Sequence, residues 1–182
     1  MNKSIWGLVG ILCFAASSAL AGFDEVKYPE GYQTQFVRYA TVDNAKKKKV
    51  RFFYVNPEAL AAAKPGQPLP DGTVIIMEDH PAVLDAQDAP VKNKQGRLIP
   101  TPKITNVFVQ ERRKGWGAQY PENVRNGEWE YAWYTPDGKP KISKKTGNLV
   151  TFERCMACHQ KVAAQDYNFT LSPFVTKIKG EN

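Results

Sequence analysis

The sequence predicts a mainly β (α+β) protein: an antiparallel β-sheet domain with a short helix in its first half and a C-terminal helix carrying C-x-x-C-H. Three observations predict it. Five segments rich in β-branched and aromatic residues recur along the chain, each bounded by Pro, Gly, Asn or Asp. One Ala-rich stretch opens on Asn56-Pro57-Glu58, a good cap and first turn, and ends at Pro65-Gly66. From about Thr151 the strand alternation stops, and residues 150–165 read as a helix with Thr151 as its cap.

In chain order, residues 1–21 read as a secretory leader. Lys3 gives a short positive start, residues 5–14 form an apolar run too short to span a bilayer, and Ala19-Leu20-Ala21 fits the small-x-small cleavage pattern. A retained membrane anchor is the alternative, and the polar sequence that follows at once speaks against it. Cys13 leaves with the leader, and its Gly-Ile-Leu-Cys context is a poor lipidation box. The expectation is a periplasmic protein with a single domain over 22–182, not transmembrane after cleavage.

The five strand segments are "FVRYATV" (36–42), "KVRFFYVN" (49–56), "GTVIIMED" (72–79), "ITNVFVQER" (104–112) and "EWEYAWYT" (128–135). The lysines at 46–49 fall between the first two and read as a solvated hairpin turn, with a docking patch as the alternative. Residues 80–103 read as a long polar loop that carries function or covers a site. "TPDGK" ends the last strand with a turn, Pro136 presetting one backbone angle and Gly138 tolerating a positive one. The formal charge of +7 suits an acidic redox partner, an anionic small molecule or a membrane surface, but the basic residues are scattered and no nucleic-acid motif occurs.

Cys155, Cys158 and His159 carry the chemistry. Thiols three residues apart face one side of a helix, so both can add to the two vinyl groups on one edge of a haem, and the next residue then lies beneath the iron as axial ligand. Three other readings compete. A structural disulfide leaves His159 without a purpose. A redox dithiol wants a βαβ context that the chain lacks. A zinc site would have to recruit His80 and have the neighbours Cys158 and His159 bind one small ion. The motif and the leader together favour one covalent haem c per chain.

A β-rich domain ending in such a helix is unusual among small c-type cytochromes. "YPEGY", "FFYVNPEAL", "LPDGTVIIMED", "NGEWEYAWYTPDG" and "CMACHQKVAAQDYNFT" occur in that order, and the chain after the leader resembles the cytochrome P-460 and cytochrome c′-beta family. The resemblance implies a homodimer of antiparallel β-sheet subunits, with haem attached near the C-terminus, His159 proximal, and the other haem face open or capped by side chains. Members that oxidise hydroxylamine join a strand lysine to the porphyrin. Aligned on Asp71-Gly72-Thr73, this chain has Met77 there, which has no amine to form the link; Lys64 and Lys103 lie off the strand. Alternation puts Thr73, Ile75 and Met77 on one strand face, and the resemblance implies that Met77, standing where the family lysine points at the haem, points there too, by soft packing or as a weak sixth ligand through sulfur. His80 falls on the opposite face and reads as a solvent-exposed turn.

Such relatives also carry a distal carboxylate that accepts protons from bound substrate. Alignment places Val107 or Phe108 near it, with Glu111 beyond, so the base is expected to be missing. Phe108 then either caps an apolar pocket suited to a neutral diatomic or belongs to the core. Trp129, Tyr131 and Trp133 share a face and read as core, with Trp129 bordering the haem. Arg154 pairs with a haem propionate or stays a surface residue, and Asp166 caps the turn after the haem helix. Two functions follow. The first is a mono-haem cytochrome, more a non-catalytic haem protein than an enzyme, that binds a small ligand such as nitric oxide or passes electrons. The second is a hydroxylamine or nitric-oxide oxidoreductase.

Overall fold

The computed structural model describes residues 25–148, 150 and 153–180; the expected leader and Thr151 lie outside the described residues. Strands β1 (Val37–Asn44), β2 (Lys49–Val55), β3 (Val74–Pro81), β4 (Asn106–Arg112) and β5 (Trp129–Tyr134) form one sheet in chain order, every neighbouring pair antiparallel. Each end falls within a residue or two of its expected segment. Around the sheet lie the helices α1 (Tyr32–Gln35), α2 (Pro57–Ala62), α3 (Glu153–His159) and α4 (Leu171–Lys179).

Alternation gives the sheet two buried faces. On one, Val55, Ile75, Trp129 and Tyr131 pack against Met156 of α3 and Leu171 and Val175 of α4. On the other, Tyr54, Ile76, Val107, Val109, Ala132 and Tyr134 pack against Val26 and Tyr32 of the N-terminal segment. Removing Ile75, Ile76 or Leu171 from water contributes about 1.5–3 kcal/mol each, so both covers hold to the sheet chiefly by apolar burial.

The connections mostly follow their residues. A 3₁₀ turn, Ala45–Lys47, joins β1 to β2 with Lys46 and Lys47 exposed, the solvated hairpin that the lysine run predicts. After β5, the Thr135 amide donates to the Lys139 carbonyl at 2.8 Å across a turn in which Gly138 holds φ +77°.

Two connections differ from expectation. Asn56 precedes α2, but its side chain does not cap the helix: its Oδ1 accepts the Val74 amide at 2.8 Å and its Nδ2 donates to the Gly72 carbonyl at 3.2 Å. The start of β3 is thereby pinned to the end of β2. The long loop after β3 is a folded ribbon, with bridges Ala82↔Pro100, Leu84↔Pro90 and Lys92↔Leu98. Asp85 and Asn93 make this possible by each accepting two backbone amides within its turn. Leu98 packs with Val50 and Ala82, so the ribbon covers a corner of the sheet on the Val50 face and not the face beneath α3.

Candidate functional site

Helix α3 is seated by one residue. Met156 is buried against the sheet, and its carbonyl accepts Asn126 Nδ2 at 3.0 Å, while the same Nδ2 donates to the Tyr131 hydroxyl at 2.9 Å. With Met156 fixed inward, residues 155, 158 and 159 lie along an adjoining face of the helix. Cys155 is half-buried beside the core, Cys158 is exposed, His159 is half-buried, and both cysteines are free thiols. Glu153 in the first turn has the sign that the helix dipole favours.

The His159 ring is held on three sides. It lies 4.6 Å from the Tyr131 ring and 5.0 Å from the Phe169 ring, centroid to centroid. Its Nδ1–H donates to the Tyr167 carbonyl at 2.7 Å. Burial pushes its pKa down, offset in part by that backbone bond, and so favours a neutral imidazole. A neutral ring with Nδ1 committed to a carbonyl keeps its Nε2 lone pair for a metal. Burial, with Cys158 next, pushes the Cys155 thiol up to about 11. That opposes a redox dithiol, which needs a thiolate near neutral pH.

Cross-strand register places the remaining residues. Val55, Ile75, Gln110 and Tyr131 form one row across the sheet, and Phe53, Met77, Phe108 and Trp133 form the next. The first row is buried. In the second, Met77, Phe108 and Trp133 are half-buried, with the Phe108 and Trp133 rings 4.7 Å apart. Met77 lies where alternation predicts, beside the core that also takes Cys155. Trp129 is core, and Tyr131 in its place is the aromatic against His159. Arg154 is exposed on α3.

A third row, Arg51, Asp79 and Asn106, has no counterpart in the sequence reading. Asp79 is a buried carboxylate two residues beyond Met77 on the same face, and the signal for it was the period of two that places Met77. It accepts from Lys49 Nζ at 2.6 Å, Arg51 Nε at 3.0 Å and Asn106 Nδ2 at 3.4 Å. Lys49 is one lysine on this face and is spent on the ion pair, while Lys141 Nζ lies 5.9 Å from the centroid of the Trp133 ring. Glu111 points away, on the opposite face, and pairs with Arg113 at 2.6 Å.

Two expectations are corrected. His80 is not an exposed turn: β3 runs through it, only 5% of it is exposed, and its ring bonds Glu78 Oε2 at 2.9 Å and the Thr101 carbonyl at 3.1 Å. It lies on the sheet face away from the core that takes Cys155, so it does not join Cys155, Cys158 and His159 as the zinc reading requires. Asp166 does not cap the following turn. It sits in the left-handed region at φ +54°, and its Oδ2 accepts the Leu69 amide at 2.8 Å. The N-cap position of α4 is Thr170, and the helix start is held from two residues earlier by Asn168, whose Oδ1 accepts the amides of Thr170, Leu171 and Ser172.

Two free thiols, a neutral imidazole and a half-buried row of Met77, Phe108 and Trp133 suit a flat apolar macrocycle carrying a metal, so the residues fit a haem. Fold and site together define a β-sheet haem protein. Residues 29–170 match the family model for cytochrome P460, and the chain belongs to that family, which implies a haem cofactor. Among curated proteins no relative matches. No helix among the described residues is long and apolar enough to cross a membrane.

Proposed function

We propose that this chain is an exported c-type cytochrome with one covalent haem, which binds a small neutral ligand such as nitric oxide or passes electrons. The observation that carries the reading is His159, with Nδ1 tied to a carbonyl and its ring against Tyr131, on the helix that carries two free thiols and over the sheet face that also holds Met77. Cys155 and Cys158 would hold the haem through thioether bonds, sulfur on one vinyl carbon and hydrogen on the other, so the adduct mass would be that of chain plus haem with nothing lost. His159 Nε2 would bind the iron. Bound haem would supply an iron that takes one small ligand and exchanges one electron.

The chain's own residues set what that iron meets. Met77, Phe108 and Trp133 present a half-buried apolar surface without a proton acceptor, which suits an uncharged diatomic. Asp79 lies two residues farther along the same face, and its oxygens are already engaged by Lys49 and Arg51. Arg154, exposed beside Cys155, is available to a propionate. An acidic redox protein suits the net charge of +7, and family resemblance favours a homodimer. The oxidoreductase reading is the weaker one, because Met77 cannot form an amine link and Asp79 is neutralised.

The test is the full chain produced in a host that matures c-type cytochromes. Mass analysis and a pyridine haemochrome spectrum should give chain plus haem with ordinary c-type bands, and Cys155→Ala with Cys158→Ala should abolish covalent haem. A bare polypeptide or an altered chromophore defeats the reading. Hydroxylamine turnover with an electron acceptor separates the two functions: efficient turnover by the natural sequence, before any Met77→Lys change, defeats the non-catalytic one.

A further inference from the structure

The Tyr167 carbonyl accepts two hydrogen bonds. One comes from His159 Nδ1 at 2.7 Å and the other from the side-chain Nε2 of Gln110 at 3.1 Å. Gln110 lies on β4, buried, directly across from Ile75 and Tyr131. Its amide has a fixed sense, because its own Oε1 accepts Asn168 Nδ2 at 3.2 Å. Asn168 is fixed in turn by the three α4 amides on its Oδ1.

The backbone is bent to bring this carbonyl into place. Asp166 and Tyr167 are both left-handed, at φ +54° and +55°, where a helix ordinarily stops with one such residue, usually Gly. Non-glycine residues there are strained and persist where their surroundings over-determine them. Here the Leu69 amide holds Asp166, and the Tyr167 ring packs on Gly127, lying 3.2 Å from where a Cβ would stand.

We infer that Gln110 is a positioning residue that tunes the axial imidazole through the Tyr167 carbonyl. The inference rests on the proposed reading that His159 binds haem iron. A carbonyl shared by two donors holds each less strongly. The Gln110 amide therefore weakens the pull on the His159 N–H, leaves the ring less anionic, and favours ferrous over ferric iron. Without that donor the carbonyl takes the His159 proton more strongly, and the balance moves to ferric.

The experiment is the midpoint potential of the haem-loaded full chain, measured spectroelectrochemically in two variants. Gln110→Met keeps the side-chain length and removes the donor. It should favour ferric iron about tenfold, a fall of about 59 mV for a one-electron couple. Asn168→Ser keeps a capping oxygen for α4 and frees the Gln110 amide to rotate, and should lower the potential by a smaller step. A merely structural role would lower the melting temperature and leave the potential where it was. Unchanged potentials in both haem-loaded variants overturn this inference alone, whereas absence of covalent haem from the natural sequence overturns it together with the proposed function.

Discussion

The two faces of β3 are built from alternate residues of one strand and solve different problems. Glu78 and His80 point to one side, where a buried carboxylate accepts from Tyr32 at 2.6 Å, Gln33 at 2.9 Å, Tyr54 at 3.1 Å and His80 at 2.9 Å. Every lone pair is engaged and the face is closed by the protein's own groups. Ile75 and Met77 point to the other side, where burial ends partway and Met77, Phe108 and Trp133 keep apolar surface open to solvent. A self-satisfied polar network fixes a fold, and a half-open apolar row suits a ligand. Damage to the first face should appear in stability, and damage to the second in the behaviour of the bound group.

The largest effect expected is from Glu78→Ala. Burial alone would raise the Glu78 pKa, but bonds from His80, Tyr32, Gln33 and Tyr54 outweigh it and hold the carboxyl below its ordinary 4.5. Both His80 ring nitrogens face acceptors, so removing the carboxylate strands a buried donor as well as two hydroxyls. The loss should be about 3–5 kcal/mol in urea unfolding of the haem-loaded chain, with the haem spectrum of the folded fraction unchanged. Retained stability would break the contrast between the faces.

Glu130 sharpens the same contrast by its opposite sign. It lies on the Glu78 face, 1% exposed, across from Glu111, which pairs with Arg113. Burial raises its pKa from 4.5 to about 7, the nearby Tyr120 hydroxyl pulling it back and Glu25 adding a little. A carboxyl that holds its proton more tightly when folded costs nothing below its unfolded value. The cost grows as pH rises from 4.5 to about 7 and is constant above, reaching about 3 kcal/mol at 1.36 kcal/mol per unit. Glu78 acts in the other direction, its contribution present above its unfolded value and lost as pH falls through the lower folded one. Glu130→Gln should therefore gain stability at pH 8 and none at pH 4, as read from denaturation midpoints; equal gains at both would remove the titration from the account.

Legibility followed the range of the interactions. Strands showed in the sequence because alternation is local, and the C-x-x-C-H motif showed because Cys155, Cys158 and His159 need only one helical turn. Met77 was placed by a period of two. Asp79 obeys the same period and was missed because its meaning depends on Lys49 and Arg51, which only cross-strand register brings alongside. Gln110 and Asn168 were invisible for a stronger reason: Gln110 bonds the Tyr167 backbone carbonyl, aimed by two consecutive left-handed residues that no sequence pattern announces, and Asn168 acts only through Gln110. His80 was misread because Pro81 suggests a turn, whereas Pro81 is the last residue of β3, opposite Lys49.

The smallest effect expected is also the one that best separates packing from ligation on the open face. Met77→Leu conserves volume and polarity at a half-buried position, and such swaps usually cost less than about 1.5 kcal/mol. Met77 borders the core and lies across from Phe53 and Phe108, contacts that Leu reproduces, so unfolding midpoints should hardly move. A thioether that only packs leaves oxidised and reduced absorption spectra and midpoint potential as they were. A thioether bound to iron raises the potential, and its replacement would lower it and alter both spectra. The row of three apolar side chains already accounts for Met77 by packing, so the expected result is an unchanged spectrum beside a potential that moves with Gln110. A spectral change in Met77→Leu would instead make this face a source of iron ligation and move control of the metal from the proximal carbonyl to the sheet.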